Sequence, residues 1–107
     1  TAKIGKNTVL GYGGMGVVIH ARCNIGENCV IGTGVTLGGT SHKYDVPEVG
    51  NNVLIGAGAK ILGPVKIGNN VVIGANAVVT KNILDNTLVG GIPAKTLKEN
   101  IDIKDYM

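Results

Sequence analysis

Residues Ile19–Thr80, IHARCNIGENCVIGTGVTLGGTSHKYDVPEVGNNVLIGAGAKILGPVKIGNNVVIGANAVVT, decide the fold. At every sixth residue from Ile19, ten of eleven positions are aliphatic, and glycine directly follows seven of the eleven. Neither a helix of period 3.6 nor an isolated strand of period two generates this spacing. A solenoid does, because each short strand turns one aliphatic residue inward, and we expect the glycine after it to supply the unusual backbone angles of a corner. The spacing therefore predicts an all-β solenoid.

The six-residue repeat is interrupted at two places. Three extra residues come before Ile19, and the glycine-rich segment Tyr12–Gly16 is where a bulge can absorb them. Further on, Lys43 stands where the repeat asks for an aliphatic residue. We therefore expect Gly38–Glu48 to be a polar loop that projects from the coils, and such loops on rigid scaffolds often carry function.

The repeat is lost after Ile83. Asp85–Lys95 is predicted to fold over the open end of the solenoid, where unpaired strand edges would otherwise invite aggregation. The predicted organisation is one solenoid domain over residues 1–97, with its loop at 38–48, and a C-terminal tail over residues 98–107. A thin prism of this length buries little apolar area against its backbone entropy, so we also expect self-association.

Composition limits the core and the possible partners. The chain has no Trp or Phe, so the core must be aliphatic, and Cys23 and Cys29 occupy equivalent inward positions as predicted reduced core thiols. The net charge is +3, but the lysines are scattered, which argues against a nucleic-acid partner and favours a small anionic cofactor. No stretch is long enough for a membrane span and no secretory signal is seen, so we expect a soluble, cytoplasmic protein.

Three motifs carry a resemblance to a known family: Gly34–Thr40 (GVTLGGT), Ile55–Gly63 (IGAGAKILG) and Gly91–Lys95 (GIPAK). In order and spacing they resemble the hexapeptide-repeat transferases, and serine acetyltransferase and its relatives in particular, from about residue 2 to residue 97. The resemblance implies a single-stranded left-handed parallel β-helix with three hexads per coil. It also implies a homotrimeric acetyltransferase that uses acetyl-coenzyme A as co-substrate and transfers the acetyl group directly to a hydroxyl.

The chain departs from the serine enzymes at two places. Their catalytic histidine aligns with Tyr12 after a one-residue gap, and the Arg-His-Pro of their loop aligns with Asp45-Val46-Pro47. Tyr12 and Asp45 are therefore assigned to acceptor binding. The acceptor is predicted to be serine, or alternatively the hydroxyl or amine of a sugar or polysaccharide precursor, as in sugar acetyltransferases of the same superfamily.

Acetyl transfer from a thioester to a hydroxyl narrows the choice of catalytic residue. The hydroxyl proton must be removed during attack and the leaving thiolate must be protonated, and histidine can do both near neutral pH. Of the two histidines, His20 replaces a repeat glycine and His42 lies in the predicted loop. We predict that one is the general base, His20 ahead of His42, while the other contacts acceptor or cofactor. The structural alternative is a plain corner residue and a solvated loop residue.

A cofactor groove is expected along the coils. His20, Gly38, Gly56 and Gly74 are eighteen residues apart and are therefore predicted to stack in one column, where a groove floored by small residues can hold a pantetheine arm. Backbone N–H groups near Gly38–Thr40 are candidates for an oxyanion hole. By resemblance, the cofactor-binding residues are Gly39, Thr40, Ala57, Gly58, Ala75, Asn76, Lys81 and Lys95, with the lysines near its phosphates. The alternative is that the small residues only satisfy the repeat.

Two other function classes fit the sequence less well than acetyl transfer does. Carbonic-anhydrase-like hexapeptide enzymes hold zinc with three histidines, whereas this chain has two and no metal-type spacing, so no metal site is predicted. A non-catalytic solenoid of the ice-binding kind would carry a threonine ladder, which the sequence lacks. A solenoid fragment without activity stays open as an alternative.

Overall fold

The computed structural model describes residues 2–107, which form short strands wound as successive coils. The strands are β1 Lys3–Ile4, β2 Val9–Leu10, β3 Val18–Ile19, β4 Asn24–Ile25, β5 Val30–Ile31, β6 Thr36–Gly38, β7 Glu48–Val49, β8 Leu54–Ile55, β9 Lys60–Leu62, β10 Lys66–Ile67, β11 Val72–Ile73, β12 Val78–Val79, β13 Thr87–Gly90 and β14 Lys95–Glu99. Short 3₁₀ helices span Gly11–Gly14 and Ile103–Asp105. Within residues 2–107, no helix is long and apolar enough to cross a membrane.

The strands stack into three sheets, which are the faces of the solenoid. Face 1 has the order β1-β4-β7-β10, face 2 has β2-β5-β8-β11-β13-β14, and face 3 has β3-β6-β9-β12. Every pair is parallel except β13 with β14, which is antiparallel. The predicted all-β solenoid is therefore confirmed.

The core lies along the axis between the three faces. Ile31, Leu37, Ile55 and Ile61 each expose 0% of their surface, as the inward positions of the repeat predict. Cys23 and Cys29 are buried among them as free thiols, so their assignment to the core is confirmed. At about 1.5–3 kcal/mol for each fully buried aliphatic side chain, this column is the main stabilising term of the fold.

The expected role of the repeat glycines is wrong. Gly26, Gly32, Gly50 and Gly56 do not have positive φ. Instead, each lies against the backbone of the next coil: a Cβ added to Gly56 would be 2.6 Å from the Ala75 N atom. The left-handed angles come two residues later, often at asparagines such as Asn28, Asn52 and Asn70, with φ of 57°, 57° and 58°. Glycine is thus required for close approach between coils rather than for the bend itself.

Both predicted interruptions are present. The bulge occupies Gly11–Gly14 between β2 and β3, and Tyr12 within it has φ 49° and ψ 39°. The predicted loop has no strand between Gly38 and Glu48, and its residues 39–45 are exposed. Its end is anchored by the buried residues Val46 and Pro47.

The predicted column of His20, Gly38, Gly56 and Gly74 is wrong. Val18 pairs with Thr36, 18 residues on, but Thr36 pairs with Lys60, 24 residues on. The coil that contains the loop is therefore six residues longer, and later residues move by one face. Gly38 is followed in its column by Leu62, whereas Gly56 and Gly74 directly follow strands β8 and β11 of face 2.

The C-terminal segment closes one end of the solenoid, as expected. Strand β13 continues face 2 beside β11, and β14 turns back to pair with β13, with a register shift between Leu88 and Val89. Ile101 is 7% exposed and so joins the buried set. Strand β14 spans residues 95–99 and therefore includes the predicted boundary between domain and tail at 97/98. That boundary stays a prediction.

Candidate active site

His20 lies at the turn from face 3 to face 1, which we name corner 3/1. Its amide donates to the Leu37 carbonyl at 2.8 Å, which fixes the backbone at the end of β3. Its half-buried ring accepts a hydrogen bond at Nδ1 from the Arg22 amide at 3.1 Å. A Cβ added to Gly39 would be 3.9 Å from His20 Cδ2, so the imidazole lies beside the first residue of the loop. The structure thus brings His20 and Gly39 together.

The hydrogen bond to Arg22 selects a tautomer. A neutral imidazole has one donor and one acceptor nitrogen, and Nδ1 is the acceptor here. The single N–H proton of the His20 ring is therefore on Nε2 in this arrangement, so the ring can donate a hydrogen bond through Nε2.

His42 lies at the exposed tip of the loop. It has φ 65°, inside a turn that the Lys43 amide closes onto the Thr40 carbonyl at 3.3 Å. Within residues 2–107 its side chain makes no hydrogen bond, in contrast to the oriented ring of His20. Among the described residues, therefore, none positions the imidazole of His42 by a hydrogen bond.

Asp45 lies in a cleft of about 320 Å³ between the loop and face 1. The Arg22 guanidinium stacks on the Tyr44 ring, 4.0 Å from its centroid, and Arg22 Nη2 donates to the Tyr44 carbonyl oxygen. On the far side, Lys66 Nζ lies 4.0 Å from Glu48 Oε2. The cleft therefore presents both cationic and anionic groups beside an aromatic ring.

The predicted cofactor residues lie on two edges of the prism. Ala57, Gly58, Ala75 and Asn76 form the turn from face 2 to face 3, which we name corner 2/3, where the Asn76 amide donates to the Ala57 carbonyl at 2.9 Å. Thr40 belongs instead to corner 3/1, since a Cβ added to Gly63 would be 3.4 Å from Thr40 Oγ1. Face 3 separates the two edges, so one chain does not gather all eight residues in a single groove.

Lys81 and Lys95 are brought together at the end of the solenoid. Both line a cavity of about 440 Å³ between the last coil and the C-terminal strand, together with Thr80, Thr96 and Glu99. Lys95 begins β14, where it pairs with Gly90 at the end of β13. Two ammonium groups at one cavity are suited to an anionic ligand.

Tyr12 and Asp45 do not share a site within the chain. Tyr12 is 89% exposed in the bulge of corner 2/3, whereas Asp45 precedes β7 of face 1. Sequence reasoning also missed Arg22 and Tyr44, because their contact joins residues 22 apart across the loop. The signal that could have found them is an arginine two residues after a histidine, together with an aromatic residue in the following loop.

Metal ligands do not gather at this site. Within the described residues 2–107, no three His, Cys, Asp or Glu side chains are close enough together to hold a metal ion. The groups that could act chemically here are the two imidazoles, the loop backbone and the lysines.

Two family models match the chain. Bacterial transferase hexapeptide (six repeats) matches residues 47–81, and hexapeptide repeat of succinyl-transferase matches residues 1–38. Serine acetyltransferase of Staphylococcus epidermidis is 51% identical over 100 residues, which are 92% of this chain and 46% of that protein. The chain thus spans about half the length of the curated relatives it matches.

Solved structures give the same result. Serine acetyltransferase of Brucella abortus in complex with coenzyme A matches with a TM-score of 0.87 and 38% identity, over 92% of this chain and 40% of that one. Neisseria gonorrhoeae serine acetyltransferase in complex with serine matches with a TM-score of 0.85 and 38% identity, over 91% and 40%. The chain therefore belongs to the hexapeptide-repeat transferases, and its fold is a left-handed parallel β-helix like that of the matched serine acetyltransferases.

Proposed function

We propose that this chain is the catalytic β-helix of an acetyl-coenzyme A-dependent O-acetyltransferase that acts on serine. The observation that carries the proposal is the placement of the His20 imidazole beside Gly39, at the base of the loop. The surrounding fold is similar to a serine acetyltransferase in complex with coenzyme A. A histidine at this place can serve a transfer that needs both a base and an acid.

The proposed reaction is direct transfer. The acceptor hydroxyl oxygen attacks the thioester carbonyl carbon while the imidazole takes the hydroxyl proton; the carbon–sulfur bond then breaks, and the imidazolium returns the proton to the thiolate. With Nδ1 accepting from Arg22, the neutral His20 ring carries its proton on Nε2. Base catalysis through Nε2 therefore requires the other tautomer, in which Nδ1 no longer accepts from Arg22.

The loop backbone is the proposed oxyanion site. Within residues 2–107, the N–H groups of Gly39 and Thr40 donate no backbone hydrogen bond, so both are available to a ligand. Gly39 lies against the His20 ring and has no side chain to block approach. Preorganised donors of this kind stabilise the negative charge that develops on the carbonyl oxygen.

The cofactor is proposed to use both edges of the prism. Its pantetheine arm would lie along Ala57, Gly58, Ala75 and Asn76 at corner 2/3, while Lys81 and Lys95 would pair with its phosphates.

A homotrimer, which we also propose, could bring corner 2/3 of one chain against corner 3/1 of its neighbour. The exposed apolar side chains of Tyr12, Met15 and Val18 support such an association. The sedimentation mass of the purified protein tests it.

Serine is the proposed acceptor, with Asp45 and Tyr12 as the acceptor-binding residues. The support for serine is similarity to an enzyme solved in complex with serine. A sugar hydroxyl is the second candidate, because the resemblance aligns Tyr12 with the catalytic histidine of the serine enzymes. Acetyl-coenzyme A consumption with serine and with a panel of sugars distinguishes the two.

The histidine assignment is tested by His20→Ala and His42→Ala. We expect His20→Ala to lower kcat by about 10²–10⁴-fold and His42→Ala to lower it less than tenfold, because the His20 ring lies beside Gly39 whereas the His42 side chain makes no hydrogen bond within residues 2–107. Thiol release from acetyl-coenzyme A is the measurement, with circular dichroism as the folding control. If both variants keep wild-type turnover, the assignment to histidine is wrong; if wild-type protein transfers acetyl to neither serine nor any sugar, the proposed function is wrong.

The cytoplasm is the proposed compartment. Its support is the pair of free, buried thiols, since a reducing compartment keeps thiols unpaired. Fractionation of producing cells checks this, and recovery in an extracellular fraction would contradict it.

A further inference from the structure

Arg22 connects the coil that carries His20 to the tip of the loop. Its guanidinium stacks on the Tyr44 ring at 4.0 Å and donates to the carbonyl oxygen of Tyr44. A planar guanidinium can make both contacts at once, whereas a lysine ammonium can only approximate them. One side chain therefore restrains both the ring and the backbone of the loop residue.

The same residue also contacts His20. The Arg22 amide donates to His20 Nδ1 at 3.1 Å, which orients the imidazole in the tautomer protonated on Nε2 and is released in the tautomer that acts as base. Backbone and side chain of Arg22 thus face in two directions, one towards the proposed base and one towards the loop. Any movement of the loop about this contact changes its position relative to the His20 ring.

The loop needs such a restraint at its tip. At its base, Gly39 packs beside His20, and at its end Val46 and Pro47 are buried. Between these anchors, residues 40–45 are exposed, and the Tyr44 side chain itself is 74% exposed. Exposed loop tips open readily unless contacts tie them down.

We propose that Arg22 is a positioning residue that latches the loop through Tyr44 and thereby sets the acceptor side of the site relative to His20. The proposal rests on the proposed function, because it adds a determinant of acceptor binding to that site. It assigns Arg22 no contact with the reacting atoms. Asp45, the neighbour of Tyr44 in the same cleft, is the acceptor residue that the latch would place.

The latch is tested first without any enzymatic assay. Lys43 is exposed and precedes Tyr44, so trypsin can report opening of the loop by cleavage of the bond between them, identified by mass spectrometry. We expect Arg22→Ala to speed this cleavage roughly tenfold, because it removes a cation–π contact and a charged hydrogen bond. Tyr44→Ala keeps the carbonyl acceptor and should speed it about threefold.

Two variants serve as matched controls. Tyr44→Phe keeps the ring and the carbonyl, and the phenolic oxygen makes neither contact, so its cleavage rate should stay within about twofold of wild type. Lys66→Ala removes a cation from the other side of the same cleft and should behave likewise. Because both changes break one interaction, the double variant Arg22→Ala/Tyr44→Ala should be cleaved within about 1.5-fold of the Arg22→Ala rate, whereas independent effects would make it about threefold faster. Additive effects, or an unchanged rate in Arg22→Ala, would overturn the latch.

Kinetics test the positioning role. Arg22→Ala should raise the acceptor KM about tenfold while leaving the KM for acetyl-coenzyme A within about twofold, and Arg22→Lys should partly restore the acceptor KM. If Arg22→Ala speeds cleavage after Lys43 but leaves the acceptor KM unchanged, the latch exists and the proposed positioning role of Arg22 is wrong. If wild-type protein transfers no acetyl group, the proposed function and the positioning role fail together, whereas the cleavage rates still judge the latch.

Discussion

At the scale of single residues, the repeat glycines show how closely successive coils pack. A Cβ on Gly32 would lie 2.7 Å from the Ala57 N atom, and one on Gly50 would lie 2.8 Å from the Gly68 carbonyl oxygen. Real Cβ atoms do not approach backbone atoms so closely, so glycine is required by space at these positions and not by dihedral angle. The sequence identifies the glycines, but the reason for them lies in the neighbouring coil.

Gly56→Ala and Gly74→Ala give a matched test of this explanation. A Cβ at Gly56 would lie 2.6 Å from the Ala75 N atom, whereas one at Gly74 would lie 3.4 Å from the Val89 carbonyl oxygen. We expect Gly56→Ala to lower the free energy of unfolding by about 1–3 kcal/mol and Gly74→Ala by about 0.5 kcal/mol or less. Urea denaturation measures both. Equal losses in the two variants would contradict the close-approach explanation.

At the scale of elements, the turn from face 1 to face 2 is built by asparagines. Asn28, Asn52 and Asn70 occupy the left-handed region there, which asparagine enters more readily than other residues with a Cβ. Side-chain oxygens also link the coils: Asn51 Oδ1 accepts from the Glu27 amide, and Asn69 Oδ1 accepts from the Asn51 amide, both at 2.8 Å. The six-residue pattern predicts glycine at the corners and gives no sign that asparagine supplies the left-handed angle.

Asn52 tests the role of this turn. Asn52→Ala should lower the free energy of unfolding by about 1 kcal/mol, because alanine is disfavoured at its φ of 57°. Asn52→Gly is the control and should stay within about 0.5 kcal/mol of wild type, since glycine adopts this angle freely. Thermal and urea unfolding of both variants provide the measurement. A loss in the glycine variant as large as in the alanine variant would show that the side chain itself, and not its backbone angle, is needed.

At the scale of the whole molecule, one aliphatic column with two buried thiols holds the prism together. Burial raises the pKa of the Cys23 and Cys29 thiols above the 9.0 of an exposed thiol, although hydrogen bonds to both and, for Cys23, the charge of Arg22 lower it in part. The folded chain therefore keeps these protons to a higher pH than the unfolded chain does. Stability from this source is complete below about pH 9 and is lost as the pH rises further.

Unfolding at alkaline pH tests whether the free energy of unfolding falls as the pH rises. Between about pH 9 and pH 10, the unfolded chain releases its thiol protons first, so the free energy of unfolding should fall by up to about 1.4 kcal/mol per pH unit for each thiol. The double variant Cys23→Ala/Cys29→Ala should begin less stable, because methyl-sized cavities remain, but it should lose stability with pH less steeply. Urea midpoints at pH 8, 9 and 10 give both slopes. Parallel slopes in the two proteins would rule out this origin.

The fold could be predicted because its signal is local. Inward position recurs every six residues, so the aliphatic column, the bulge at Tyr12–Gly16 and the loop after Gly38 follow from spacing along the chain. The candidate site was predictable only in part. His20 is conspicuous as an exception to the repeat, and the loop as a break in it, but neither fact says which residues face them.

The sequence by itself determined that this chain is a solenoid of six-residue rungs with a histidine at one corner and a polar loop. Only the tertiary structure decided which corner each later residue occupies, because a coil lengthened from 18 to 24 residues moves everything after the loop by one face. It also decided that Arg22 meets Tyr44 and that glycines are needed for close approach. These depend on how one coil lies upon the next, and that distance is fixed by backbone hydrogen bonds between coils that no periodicity within a single coil records.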